Sequence, residues 1–288
     1  MGGSESIPAE ELDEEWRTFD WREKETLKRR LEKFTLSNPD VTNVKILVAG
    51  QIGAGKSSFI NSVLSAFQGE IVNEALAEDL ESADSHSFTK RLRAYRIRSA
   101  DADLPFELCD IKGLEPEKIS ECQIDDIVNS IYGHVKEGYK FEEEPLTSDD
   151  EHYNQNPSLS DQAFCLVYII DTSTIQLAAD DKITEKLRMI RQTISDRGIP
   201  QVIVMSKVDE ASLLVKNDLK MVYRSKIIKE RMELCSAKVG VPVSHIFPVK
   251  NYHNEIDTND DVDVLILKAF DQIVRSADAR LRRGASNI

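Results

Sequence analysis

The chain has 288 residues, 41% hydrophobic and 31% charged, with a formal net charge of −14. That balance suits one large globular domain with appendages and excludes a disordered polymer. The acidity argues against nucleic acid as the main partner.

Met1-Gly2-Gly3-Ser4-Glu5-Ser6 fits the loose N-myristoylation pattern. No polybasic patch or second acyl site supports it, so a polar tail to about residue 15 is the preferred reading. Asp20 followed by Glu23 reads as a capping box, and Leu27, Leu31 and Phe34 repeat at i, i+4, i+7. An amphipathic helix to about Phe34 follows, stopped by Ser37-Asn38-Pro39. Trp16, Phe19 and Trp21 are costly to leave in water, so this segment is expected to pack on the main body. Val44 to Ala49 is a buried-strand pattern, with a helix from about Lys56 to Phe67. Strands are predicted at Arg91–Arg98 and Pro105–Cys109, then an acidic helix around Cys122–Val135 and a loop rich in Glu, Asp, Asn and Pro. Beyond it the rhythm is regular. Strands at Phe164–Ile170, Gln201–Met205 and Ser244–Val249 alternate with helices at Asp180–Arg197, Leu213–Lys238 and Asp261–Ala279. Alternation of this kind means crossover connections and a mostly parallel sheet covered on both faces, a three-layer α/β fold. The clusters Lys28-Arg29-Arg30 and Lys90-Arg91-x-Arg93 read as solvated faces. Cys109, Cys122, Cys165 and Cys235 share no C-x-x-C spacing, so reduced thiols in the cytosol are expected. No signal peptide and no apolar run long enough to span a bilayer is present.

Directly after the first strand stands Gly50-Gln51-Ile52-Gly53-Ala54-Gly55-Lys56-Ser57, a full G-x-x-x-x-G-K-S followed by Ser58. Glycines let successive N–H groups curl toward phosphate oxygens, and the following helix adds its positive N-terminus. Lys56 is the expected partner of β- and γ-phosphates, and Ser57 of Mg²⁺. Asp110 ends an apolar strand, where a carboxylate holds Mg²⁺; Gly113, in D-x-x-G, can offer its N–H to a γ-phosphate. Thr89 is the candidate first-switch Mg²⁺ ligand, with Ser85, Ser87 or none of them as open alternatives. The base is indicated by Ser206-Lys207-Val208-Asp209, close to the N/T-K-x-D element. The Asp209 carboxylate can accept both N1–H and N2–H₂ of guanine, a donor pair adenine lacks, while the stem of Lys207 can lie over the ring. Ser206 replaces the usual Asn or Thr. Ser236-Ala237-Lys238 precedes the last strand and reads as a helix end; Lys250 and Asn251, which follow that strand, are the expected base-facing pair.

With these elements placed, the chain resembles the interferon-induced protein 44 family. The likeness runs from about Trp16 to Ala279 and rests on W-R-T-F-D-W (Trp16 to Trp21), G-x-I-G-A-G-K-S-S-F, L-P-F-x-L-C-D (Leu104 to Asp110) and Cys122-Gln123-Ile124-Asp125-Asp126-Ile127. It implies a Ras-like G domain and a cytoplasmic, interferon-induced antiviral or immune role. The expected division is a tail and packing helix over 1–40 and a G domain over 41–288, with an acidic insert around 115–163. Leu114 stands where many nucleotide hydrolases carry the glutamine that orients the attacking water. The reading is therefore a GTP/GDP-binding, Mg²⁺-dependent switch with slow or absent turnover, a mobile acidic insert as readout, and a protein partner or homodimer in view. Competing readings are a GTP hydrolase activated by dimerisation or a partner, a scaffold with a vestigial site, and an ATP-dependent small-molecule kinase. The last leaves Ser206-Lys207-x-Asp209 unexplained.

Overall fold

The structure is a computed structural model describing residues 10–77, 91–99, 102–111, 113–114, 121–141, 144, 146–175, 182–195 and 198–285. The helix carrying Leu27 and Leu31 is α1 (Lys24–Glu32), and β1 (Val44–Gly50) leads through the glycine-rich loop into α2 (Lys56–Gln68) and the short α3 (Glu74–Ala77). Then come β2 (Arg93–Arg98), β3 (Asp103–Asp110), α4 (Glu121–Ile131), β4 (Ala163–Asp171) and α5 (Lys182–Ser195). The last third holds β5 (Gln201–Ser206), α6 (Val208–Ala211), α7 (Leu213–Asn217), α8 (Lys226–Val239), β6 (Ile246–Pro248) and α9 (Asp260–Ala285).

The sheet runs β2-β3-β1-β4-β5-β6, with every pair parallel except β2 against β3. Period-two alternation divides each central strand between two cores. Ile46 and Val48 face Phe59, Phe67 and Phe270 on the side of α1, α2 and α9; Leu47 and Ala49 face Ile127, Ile190 and Met232 on the side of α4, α5 and α8. The three-layer α/β fold expected from the rhythm of the chain is the one observed. It places the C-terminal ends of β1, β3, β4 and β5, and the loops that follow them, along one rim, where such folds bind ligands.

Several local expectations are corrected. Asp20 and Glu23 form no capping box: Glu23 is itself the N-cap of α1, without a side-chain cap bond, and its carboxylate accepts from Lys268 Nζ at 2.6 Å. Asp20 instead accepts from Arg22 N at 3.0 Å. The single helix predicted over Leu213–Lys238 is broken into α7, a 3₁₀ turn (Leu219–Tyr223) and α8. Asp218 and Ser225 interrupt it, accepting from the N–H groups of Lys220 and Ile228, the competition with helical bonding that short polar side chains set up. Ser236-Ala237-Lys238 does close α8, and Val243–His245 forms a 3₁₀ turn that shortens β6 to three residues. The described part of the insert bonds to the residue before β2 and within itself. Leu92 N donates to Tyr139 O and Gly138 N to Leu92 O, both at 2.9 Å, and buried Asp126 accepts from Leu146 N at 3.1 Å. Cys109, Cys165 and Cys235 are buried and outside any disulfide, and burial pushes the Cys109 thiol up to about 12. The side chain of Cys122, the myristoylation pattern and Thr89, Ser85 and Ser87 lie outside the described residues. No described helix is long and apolar enough to cross a membrane.

Candidate nucleotide-binding site

The phosphate loop is shaped by backbone approach. At Gly50, φ is +154° and an added Cβ would stand 2.2 Å from the Ile169 carbonyl oxygen, so any side chain there would drive β1 off β4. Gly55 caps α2 at φ +92°, which turns the chain into the helix in a conformation L side chains rarely adopt. The first N–H groups of α2 and the positive end of its dipole then face the cavity. Lys56, 7% exposed, sends Nζ back to the carbonyls of Gly50 (3.3 Å) and Gln51 (3.1 Å). The Ser57 hydroxyl donates to Asp110 Oδ2 at 3.1 Å, so two of the expected Mg²⁺ ligands meet across the base of the loop.

The loop after β3 folds onto the phosphate loop. Leu114 N donates to Gly50 O at 2.9 Å and Ile52 N to Leu114 O at 3.3 Å. A Cβ at Gly113 would lie 2.8 Å from Ile52 Cγ1 and 3.0 Å from Lys56 Nζ. Gly113 thus stands beside the lysine. Leu114 differs from expectation. Its side chain is 2% exposed and packs in the core on the α4–α5 side of the sheet, not beside the place of a γ-phosphate.

The other end of the site is built from the ends of β5 and β6. Ser206 is fully buried, and its hydroxyl donates to Ala54 O at 2.6 Å. The serine that replaces the usual Asn or Thr therefore ties β5 to the phosphate loop. Lys207 is the one non-glycine residue at positive φ (+56°) among the described residues, a conformation that persists only where the surroundings over-determine it. The Ser206–Ala54 bond on one side provides this, with a 2.8 Å ion pair from Lys207 Nζ to Asp171 Oδ2 on the other. Burial raises the Asp171 carboxyl, but the bonds from Lys207 and Ser173 outweigh it and leave the group below the usual carboxylate range. Asn251 Nδ2 donates to Gly55 O at 3.2 Å, and Lys250 Nζ pairs with Glu255 at 2.8 Å.

The result is a cavity of about 610 Å³, within the range of small-molecule sites. Ile52, Gly53, Gly55, Lys56, Ser57 and Ser58 wall one end; Lys207, Asp209, Lys250 and Asn251 wall the other. Gly50, Gln51, Ala54, Asp110, Gly113 and Ser206 are not part of this wall. Sequence reasoning missed Asp171, Tyr252 and Glu255. Asp171 carried the signal that singled out Asp110, an acid ending an apolar strand run. Tyr252 and Glu255 carried none, because their roles depend on how the loop after β6 folds back: Tyr252 N donates to Ser62 Oγ at 3.0 Å, and Glu255 accepts from His253 N at 2.8 Å. No group of three or more His, Cys, Asp or Glu suited to a metal occurs among the described residues. The hydroxyl and carboxylate of Ser57 and Asp110 fit Mg²⁺, which takes few protein oxygens and completes its shell with phosphates and water.

Residues 45–207 match the profile of the family described as 50S ribosome-binding GTPase. The chain belongs to that family. Over 241 residues, 83% of the chain, this GTPase-family protein is 34% identical to human interferon-induced protein 44 and 31% identical to human interferon-induced protein 44-like. The alignments cover 53% and 52% of those relatives, so the chain spans about half the length of the curated relatives it matches. The resemblance expected from its motifs is thus the one found. Among solved structures, Toc33 from Arabidopsis thaliana in complex with GDP and Mg²⁺ superposes with a TM-score of 0.50 at 12% identity, covering 89% of this chain and 91% of that one. A structure of chloroplast translocon components, titled for the importance of dimerization to their GTPase activity, gives 0.50 at 16% identity, covering 89% and 90%. At these identities the likeness shows the fold.

Proposed function

We propose that the chain is a guanine-nucleotide-binding switch that takes GTP and GDP with Mg²⁺ and turns GTP over slowly or not at all. The observation that carries this reading is the pair of ties, Ser206 to Ala54 and Asn251 to Gly55, joining the phosphate loop and the base-facing loops in one cavity ending at Asp209. A scaffold with a vestigial site has no need of a strained Lys207 held from both sides. In this reading Lys56 neutralises phosphate charge, Ser57 and Asp110 hold Mg²⁺, and Asp209 reads the base. Mg²⁺ supplies charge neutralisation at the β- and γ-phosphates. Slow turnover follows from Leu114, whose burial leaves the usual water-orienting position without a polar group. Positioning and charge stabilisation are nearly the whole of phosphoryl-transfer catalysis, so the dilute protein is expected to turn over no faster than about 10⁻³ s⁻¹. Likeness to interferon-induced protein 44 supports an interferon-induced role, which we extend to a cytoplasmic antiviral response, with the insert as the surface a partner reads.

Calorimetry with GTP, GDP and ATP in the presence of Mg²⁺ tests the reading. Equal affinity for ATP and GTP would sink it. Leu114 also favours one second reading, a hydrolase whose missing group comes from a partner or a second copy. Single-turnover hydrolysis that rises steeply with protein concentration would select that alternative.

A further inference from the structure

The W-R-T-F-D-W segment and the residues before it lie outside the matched stretch 45–207 and do not line the cavity. Their bonds nevertheless go to the two parts of the chain that carry the base-facing loops. The Glu10 carboxylate accepts from the Ser212 hydroxyl and, at 3.1 Å, from Ser225 Oγ. Both serines are buried and both cap helices: Ser212 Oγ accepts from Val215 N at the start of α7, and Ser225 Oγ from Ile228 N at the start of α8. The Glu10 carbonyl accepts from Lys226 N, and Leu12 N donates to Arg224 O, each at 2.8 Å. Between Asp209 and Ser212 the chain has only the end of the single turn α6. Only Glu210 and Ala211 therefore separate the anchored Ser212 from Asp209.

Arg17 does the same for the other loop. Its guanidinium donates to Ile246 O at 2.8 Å and Val243 O at 2.7 Å. It lies 4.9 Å from the Trp16 ring centroid and 5.8 Å from those of Tyr223 and Phe247. Ile246 opens β6, a strand of three residues whose end feeds Lys250 and Asn251. So short a strand has few ladder bonds to hold its register, and the fork from Arg17 adds two on its approach.

We infer that Glu10 to Arg17 form a strap that positions the guanine end of the cavity: Glu10 sets Asp209 through Ser212, and Arg17 sets Lys250 and Asn251 through β6. This rests on the guanine reading above. The two are positioning residues, remote from the phosphates, so their loss weakens recognition of the base and spares that of the phosphates. A carboxylate shifted by a fraction of an ångström loses two directional bonds to guanine, whereas adenine never offered them.

The test compares GDP with ADP, both with Mg²⁺, by competition against a fluorescent GDP on the full chain. Glu10→Ala is expected to lower GDP affinity about tenfold, the worth of one charge-assisted bond, while ADP affinity changes less than about twofold. Glu10→Gln, which keeps an acceptor, restores part of the loss. Arg17→Lys keeps the charge over the rings but cannot fork to both carbonyls; it provides the second arm and also narrows the GDP-to-ADP ratio. Melting temperatures recorded alongside separate the effects, since a merely structural role lowers stability or both affinities together. A selective parent whose variants keep its ratio overturns the strap alone. A parent that binds ADP and GDP equally overturns the guanine reading and the strap with it.

Discussion

A serine hydroxyl is short, and at Ser206 its reach suffices only because β5 brings the residue directly over Ala54. The hydroxyl lies 2.6 Å from Ala54 O and 3.2 Å from Ile170 O, with no exposure to solvent. Ser206→Ala is expected to cost about 1–3 kcal/mol of stability by stranding buried carbonyls, read from denaturant melts, and to weaken GDP binding in parallel. Lys56→Ala is expected to abolish measurable binding of GTP and GDP while the fold survives, since the bonds from Lys56 Nζ to the Gly50 and Gln51 carbonyls lie within its own loop. Calorimetry paired with a thermal melt checks both halves. At Asp209, substitution by Asn replaces one acceptor by a donor mismatched to guanine. The GTP-over-ATP preference should fall by about 2–3 kcal/mol, read from the two affinities. Leu114→Gln gives a different outcome from the one its motif suggests. The new amide enters an apolar core, so stability should drop by roughly 1–3 kcal/mol and single-turnover hydrolysis should not accelerate.

The loop after β6 shows what an element adds beyond its residues. Glu255 gathers Lys250 Nζ and the N–H groups of His253 and Asn254 on one carboxylate. Burial opposes ionisation, yet these bonds hold the group down at about 2, below its ordinary value of 4.5. A depressed carboxylate contributes stability that is fully present above the unfolded value and lost as pH falls toward the folded one. The melting-temperature gap between the parent and Glu255→Gln should therefore be constant from about pH 6 to about pH 5 and shrink as pH is lowered toward about 3. A gap that widens on acidification would contradict the assignment. The same loop marks where sequence reading stops. Phosphate-loop glycines, strand-end acids and the Ser206–Asp209 element are local signals, legible because their spacing follows backbone geometry. Glu255 and Tyr252 act through bonds fixed only once the loop has folded back. Whether Leu114 faces the cavity or the core is equally undetermined by D-x-x-G, which specifies backbone and not side-chain direction. The broken helix over Leu213–Lys238 follows the same logic, since Asp218 and Ser225 cap only when the chain turns there.

For the molecule as a whole, the N-terminal helix belongs to the body of the fold. Leu27 and Leu31 are buried in the same core as β1 and α9. Three buried aspartates of α9 answer polar groups of this segment: Asp263 takes Lys24 at 2.8 Å, Asp271 takes Arg30 at 2.6 Å, and Asp278 takes the Ser37 hydroxyl at 2.6 Å. Leu31→Ala is expected to cost about 2–5 kcal/mol, whereas Leu213→Ala, at a residue 68% exposed, should stay within about 0.5 kcal/mol. Periodicity in the sequence indicated that α1 packs somewhere; the aspartates that receive it stand some 240 residues away in α9, and their pairing is a property of the assembled sheet.

Asp263 also accepts from the Tyr252 hydroxyl at 2.7 Å, so one carboxylate joins α1 to the loop that walls the cavity. Such a junction works in both directions, because coupling free energies are reciprocal. A nucleotide that orders the loop after β6 must slow local opening of α1, and a docked α1 must in turn tighten the nucleotide. Hydrogen–deuterium exchange would register this as added protection of the amides of Leu27 to Leu31 when GDP is bound, and Lys24→Met should erase it.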